Sequence, residues 1–181
     1  MDNKKFLTEL LACDNIVAKV RENLSALLLA IPEISAMIGF EHRHPHHHLD
    51  VWEHTLLALS FSENTAKTRL ALLLHDIGKP SSFQVDGAVR HYRGHAEESA
   101  RIASSVLFKL GFDVKFVNDI TEIILRHDTP LSEADFAKNP TLSKEIFSVQ
   151  RCDALAHNPE YNEKRLAYIR KIEELIKRQI E

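Results

Sequence analysis

The chain is poor in the residues that build stapled or sheet-rich proteins. Its 181 residues include 2 cysteines, 5 glycines, 6 prolines and 1 tryptophan. Cys13 and Cys152 are too few for a disulfide framework and point to a reducing compartment. So little glycine disfavours an all-β fold, whose many turns depend on it. No apolar run reaches the ~20 residues of a membrane span. The start, Met1-Asp2-Asn3-Lys4-Lys5, lacks the apolar stretch and cleavage site of a secretory signal. An excess of positive charge is also missing. Lys+Arg number 23 against 26 Asp+Glu, a net charge of −3, which argues against a protein held to nucleic acid mainly by charge. What remains is an ordinary cytoplasmic globular domain, 44% hydrophobic and 27% charged. The abundant residue is histidine, with 11 copies. Imidazole titrates near neutrality and ligates metals, so the location of each copy matters.

The hydrophobic pattern predicts an all-α fold of six to eight helices. From Asp2 to about Ile31, apolar residues such as Phe6, Leu10, Val17, Val20 and Leu24 recur at helical spacing. The stretch 39–49, with His42, His44, His46, His47 and His48, has no periodicity and reads as loop. Asp50 caps a helix to about Phe61, and a second runs from Thr65 to Ile77, where Gly78 and Pro80 stop it. The strand-like signal is confined to 83–92, where Asp86-Gly87 reads as the turn of a small hairpin. Further helices are expected near 95–110, 113–128, 141–157 and 162–180. Leu166, Ile169, Ile172, Ile176 and Ile180 form the inner stripe of the last one. The whole chain reads as one domain. Its core covers about 45–165, with a helical extension at 1–40 and the C-terminal helix at 162–180.

The informative residues are ionisable ones that fall on buried stripes. His54 shares a face with Val51, Ala58 and Phe61, and His127 shares one with Ile120, Ile123 and Ile124. Asp153 follows Ile146 and Val149, and His95 opens a helix whose inner face continues through Ile102 and Val106. His75 and Asp76 end the run Leu70-Ala71-Leu72-Leu73-Leu74. One buried His or Asp is ordinarily a core group satisfied by hydrogen bonds. Six from five segments, all of ligand type, point to a shared metal centre, because coordination offsets desolvation that costs several kcal/mol per group. Imidazole and carboxylate without thiolate suit Mn, Fe, Co, Ni, Mg or Zn in a reactive site rather than a Cys-type structural zinc. Cys152 points away from Asp153 around its helix and reads as packing.

In order, these residues lie in DVWEHTLLAL (His54), LLLHDIGKP (His75, Asp76), RGHAEESA (His95), ILRHD (His127) and RCDALAHNPEY (Asp153). That series resembles the HD superfamily of metal-dependent phosphohydrolases. It is most similar to the HD domain that follows the polymerase head in tRNA nucleotidyltransferases and bacterial poly(A) polymerases. The resemblance covers about 45–165. Nothing in the sequence resembles the Gly-Gly or paired-Asp motif of a polymerase head, so nucleotide addition is not expected of it.

The resemblance implies that His54, His75, Asp76 and Asp153 hold one divalent ion. It implies that His95 and His127 supply a second, with Asp76 bridging; a single ion with water-held histidines is the competing case. Such a centre activates a water to attack phosphorus. Asp76 and Lys79 are the expected catalytic residues, Lys79 meeting a phosphoryl oxygen from a partly hydrated loop position. Arg93 and His91 would line the mouth. The family often carries a histidine six residues before the first ligand, which is where His48 falls, as a substrate contact. His42, His44, His46 and His47 read as solvated loop residues. His157, one turn after Asp153, reads as a cap near a helix C-terminus, with substrate contact as the alternative, and Asp128 as a surface aspartate, a proton acceptor or a group that orients a ligand. Arg165 belongs with Lys164, Arg170 and Lys171 to a mixed-charge solvated face. The expected substrate is a nucleotide phosphoester, a 2′,3′-cyclic nucleotide or nucleoside monophosphate. The alternatives are a dinucleoside polyphosphate or a non-catalytic module that binds nucleotide or tRNA.

Overall fold

The computed structural model describes residues 2–178. Among them are eleven α-helices and one two-stranded antiparallel hairpin. The all-α reading holds, and the helix count exceeds the expected six to eight for local reasons. The periodic stretch from Asp2 to Ile31 is three helices, α1 (Asn3–Leu11), α2 (Ile16–Glu22) and α3 (Leu24–Ala30). Asp2 accepts from the Lys5 amide and Asn15 from the Ala18 amide, so short polar side chains end one helix and start the next. The helix α4 (Val51–Ser60) starts where Asp50 Oδ1 accepts from the Glu53 amide at 2.7 Å. α5 (Ala66–Leu74) is followed by a turn over 75–78 and by the single turn α6 (Lys79–Ser82).

The hairpin pairs β1 (Gln84–Asp86) with β2 (Val89–His91), in the register Val85 opposite Arg90. Gly87 sits at φ +58° in its turn, the left-handed region that this turn type demands. Then come α7 (His95–Lys109), α8 (Val114–Leu125), α9 (Glu133–Lys138), α10 (Pro140–Ala156) and α11 (Glu163–Arg178). The unanticipated α9 is set by a capping box, in which Ser132 and Asp135 satisfy each other's amides. Ile180, assigned to the last helix, lies outside the described residues.

α5 is the central element. It packs against α4, α8 and α10, while α7 runs along α8. Leu70 to Leu74 are buried all round, which is why that run shows no polar face. Leu7, Leu11, Val20 and Leu27 of the first three helices join the same hydrophobic cluster as Leu56, Leu72 and Ile120. Arg69 on α5 pins them. Its buried guanidinium donates to the carbonyls of Leu11 at 2.8 Å and Cys13 at 2.6 Å, and to Asn64 Oδ1 at 2.8 Å. Among the described residues no helix is long and apolar enough to cross a membrane.

Candidate metal centre

α4, the turn after α5, the start of α7, the end of α8 and the end of α10 converge on one point. Each delivers a ligand-type side chain there. His54, His75, Asp76, His127 and Asp153 are buried to 3% exposure or less, and His95 lies at the rim with 9%. Asp76 is the hub. Its Oδ2 faces His75 Nε2 at 3.2 Å and His54 Nε2 at 3.7 Å. Its Oδ1 faces His95 Nε2 at 3.6 Å and His127 Nε2 at 3.8 Å. Asp153 Oδ1 completes the first half, 2.8 Å from His54 Nε2 and 3.7 Å from His75 Nε2. The six residues assigned from sequence thus form two groups, His54–His75–Asp76–Asp153 and Asp76–His95–His127, with one carboxylate common to both.

The backbone sets the ring orientations. The Nδ1 of His75 meets the Leu72 carbonyl at 2.7 Å, that of His95 the Tyr92 carbonyl at 2.8 Å, and that of His127 the Ile124 carbonyl at 2.6 Å. His54 Nδ1 meets the Ala156 carbonyl at 3.3 Å. A carbonyl only accepts, so each Nδ1 carries a proton and each Nε2 is turned inward toward the carboxylates. As a result the bare Nε2 atoms of His95 and His127 face one another at 3.2 Å. His75 Nε2 and Asp76 Oδ1 are buried without a hydrogen-bond partner. Lone pairs converging on lone pairs in a dry site need a cation between them. The donor set therefore fits a divalent metal, through His54, His75, Asp76 and Asp153 on one side and Asp76, His95 and His127 on the other.

Electrostatics agree with that fit. Burial penalises the carboxylate charge of Asp76 and Asp153, but the surrounding imidazoles, joined by Lys79 at Asp76, hold both well below the usual carboxylate range. Burial pushes His127 down to about 4, with His75 adding to the shift, so His127 is in the neutral, ligand-competent form. His75 behaves oppositely. Burial opposes its charge, yet Asp76 and Asp153 raise it to about 10. Without a metal, a proton neutralises these carboxylates, and a divalent ion competes with it.

The turn that carries His75 and Asp76 depends on Gly78. A Cβ there would lie 2.5 Å from the Ser99 amide nitrogen and 2.9 Å from the His95 carbonyl oxygen, both backbone atoms of α7. The Gly78 amide donates to Ser99 Oγ at 2.9 Å, which locks the two elements together. Gly78→Ala must push α7 away from the turn, and with it His95 away from Asp76. The expected result is a loss of about 2–3 kcal/mol in stability, as for overpacking, with metal content per chain reduced at the Asp76–His95–His127 group. Urea unfolding and metal analysis of the variant check both; wild-type values in each would contradict the close approach.

Other residues divide into those that reach the cavity and those that do not. A cavity of about 400 Å³ opens over the cluster, and Lys79, His91 and Arg93 line it. His48 does not. It is exposed and faces a separate depression beside Gly39 and Asp50. Lys79 differs from its expected hydrated position, since it is 5% exposed. Its Nζ donates to Asp76 Oδ2 at 2.7 Å and to His42 Nε2 at 3.2 Å.

The loop histidines read as solvated are partly structural. His42 is buried, its Nδ1 donating to the Leu49 carbonyl at 2.8 Å, and it stacks on His47 with ring centres 3.8 Å apart. His157 is both a C-cap and a wall residue. Its Nδ1 bonds the Asp153 carbonyl at 2.8 Å and its ring lies beside His54. The position of His157 one turn after Asp153, on the same helical face, was a usable signal for it. Arg165 leaves the expected solvated face: its guanidinium lies 3.1 Å from Asp128 and 3.5 Å from Asp153. Nothing local in the sequence marks that contact.

A helical bundle with a His/Asp cluster on five segments defines a class of domain that can hold divalent metal. The HD domain family matches residues 46–168, and the chain belongs to that family, a superfamily of metal-dependent phosphohydrolases. Two curated relatives are similar to it. The CC-adding tRNA nucleotidyltransferase of Thermus thermophilus is 36% identical over 76% of this chain and 35% of its own length. The A-adding tRNA nucleotidyltransferase of Deinococcus radiodurans is 36% identical over 52% of this chain and 24% of its own. The alignments thus span about a third or less of those relatives.

Proposed function

We propose that this chain is a metal-dependent phosphohydrolase that cleaves a nucleotide phosphomonoester or phosphodiester, with 2′,3′-cyclic nucleotides and nucleoside monophosphates as leading substrates. The observation that carries the reading is the set of four imidazoles whose Nδ1 atoms are held by backbone carbonyls, so that every Nε2 lies within 4 Å of the buried carboxylate of Asp76. One or two divalent ions bound there would lower the pKa of a water and draw charge from a phosphoryl oxygen. The other roles belong to the chain. Asp76 and Asp153 hold the charge balance of the site. Lys79 stands on the Oδ2 side of Asp76, within reach of a phosphoryl oxygen, and stabilises charge that grows there during attack on phosphorus. His91 and Arg93 line the mouth, where they meet the approaching anion. Asp128, tied to Arg165 at the cavity edge, is placed to accept a proton.

A second reading rests on the relatives, which are named as tRNA nucleotidyltransferases. In it the domain binds nucleotide or tRNA and does no chemistry. One experiment separates the two. Protein purified without added metal is assayed for metal content, then given Mn²⁺, Fe²⁺, Co²⁺, Ni²⁺ or Mg²⁺ with a panel of cyclic nucleotides, nucleoside monophosphates and dinucleoside polyphosphates. The expected result is at least one ion per chain and turnover of a cyclic nucleotide or monophosphate. Turnover confined to dinucleoside polyphosphates would reassign the substrate. No turnover of any phosphoester, beside tight tRNA binding, would replace the enzyme reading with the binding one.

A further inference from the structure

A second cleft adjoins the metal cavity. We propose that it seats the base of a nucleotide substrate, held by apolar contact and stacking without reading the base edge. This rests on the phosphohydrolase reading above and deepens it. The cleft has a volume of about 230 Å³. That is below the roughly 300–1,000 Å³ of sites that take a whole small-molecule ligand, so it fits one part of a molecule. The two cavities share His127, Asp128 and Arg165 as a common wall. A ligand with its phosphoester above Asp76 therefore has this cleft as its neighbouring space.

The lining sets the chemistry of the occupant. Pro130, Ala154, Ile169 and the ring of Tyr168 form apolar walls. The buried polar groups that also face the cleft are already satisfied. Gln150 Nε2 donates to the Arg126 carbonyl at 2.9 Å and to the Thr129 carbonyl at 2.7 Å. Gln150 Oε1 accepts from the Tyr168 hydroxyl at 2.7 Å, and that hydroxyl in turn accepts from the Leu131 amide at 2.8 Å. With the amide and the phenol engaged, neither is free to discriminate one base edge from another. What remains for an occupant is apolar contact and a ring to stack on, which suit the π-face that every base has. Arg165 in the shared wall and Lys164 at the rim supply positive charge beside it. That complements the phosphate joined to the base and disfavours a purely hydrocarbon occupant.

The test uses metal-loaded protein and the variant Thr129→Trp, which puts a bulky ring at the exposed rim of the cleft, with metal content per chain measured in both proteins. The first arm titrates adenosine, which has no phosphate, by calorimetry. Binding is expected in wild type and weakened about tenfold or more in Thr129→Trp, a loss in the range of one base stack. The second arm compares turnover of AMP, GMP, CMP, UMP and ribose 5-phosphate. The four nucleotides are expected to have kcat/KM within about tenfold of each other, and all to exceed ribose 5-phosphate. Thr129→Trp is expected to bring them down to the ribose 5-phosphate value, which itself stays unchanged. Adenosine binding that is absent in wild type, or equal in the variant, overturns the base subsite. A strong preference for one base overturns the edge-indifferent slot. Adenosine binding lost in Thr129→Trp, in a protein that hydrolyses no phosphoester, upholds the subsite and rejects the phosphohydrolase reading.

Discussion

Asp76→Ala is expected to abolish tight divalent-metal binding. Asp76 is the one side chain within 4 Å of four imidazole nitrogens, His54, His75, His95 and His127. Its removal takes a ligand from both halves of the site at once, so no arrangement of the remaining residues keeps either half whole. In the wild type, metal at about a thousand times its Kd stabilises the fold by about 4 kcal/mol, which is roughly 10 °C in Tm for a chain of this size. The variant should show no such rise. Its metal-free form should also be weakened, because the buried ammonium of Lys79 loses the carboxylate 2.7 Å away. Asp76→Asn keeps the shape of the side chain and separates loss of the ligand from loss of the fold. Metal analysis per chain and thermal denaturation with and without Mn²⁺ read the outcome. Full metal content and an undiminished Tm rise in both variants would show that Asp76 is not the shared ligand.

Lys79→Met is expected to lower turnover by about 10²–10³-fold with metal content unchanged. Lys79 is buried beside the cluster and lies on the cavity wall. His42 Nε2 and Asp76 Oδ2 fix its ammonium from two sides, so its position is prepared before substrate arrives. A preorganised cation that strengthens its contact as charge builds on phosphorus is worth about 3–4 kcal/mol, by comparison with oxyanion-stabilising donors. The loss should fall on kcat more than on KM, because the contact tightens in the transition state. Metal affinity should hold or improve, since the ammonium and the ion compete for Asp76 Oδ2. Steady-state kinetics of metal-loaded protein decide the matter. Wild-type kcat in Lys79→Met would remove Lys79 from the chemistry and leave it as a partner of Asp76 in the metal-free protein.

The set of inward-facing histidines and aspartates was legible before the fold because burial has a local signature. On a helix, the i, i+3, i+4 and i+7 positions share a face. A histidine or aspartate flanked by isoleucine and valine at those offsets is therefore inward wherever the helix goes. His54, His127 and Asp153 were found that way; His54 and His127 face Asp76, and Asp153 joins them through His54. The hairpin was legible from Asp86-Gly87, since a turn requiring positive φ leaves few residue choices. The breaks at Cys13-Asp14-Asn15 and at Asn23 were not read, although their side chains and backbone carry capping contacts. A periodic apolar pattern continues across a break when both helices present the same face to the core.

Loop histidines and Arg165 show the limit of that logic. His42 and His48 belong to one polar stretch with no periodicity, and their order favours His48, six residues before His54, as the one facing the site. The fold decides otherwise, by turning His42 inward to Lys79 through the Leu49 carbonyl and leaving His48 in solvent. Arg165 sits among interleaved charges on α11 and looks solvated until that helix packs on α10 and brings it to Asp153. The sequence alone determined an all-α domain and the six residues that turn inward from five segments, because helix periodicity acts over a few residues. Only the tertiary structure decided that those six share one point, that Asp76 stands at its centre, and that Lys79, His42 and Arg165 surround it. Such contacts join residues tens of positions apart, and no short-range pattern encodes them; they depend on how whole helices pack and which loops close over them.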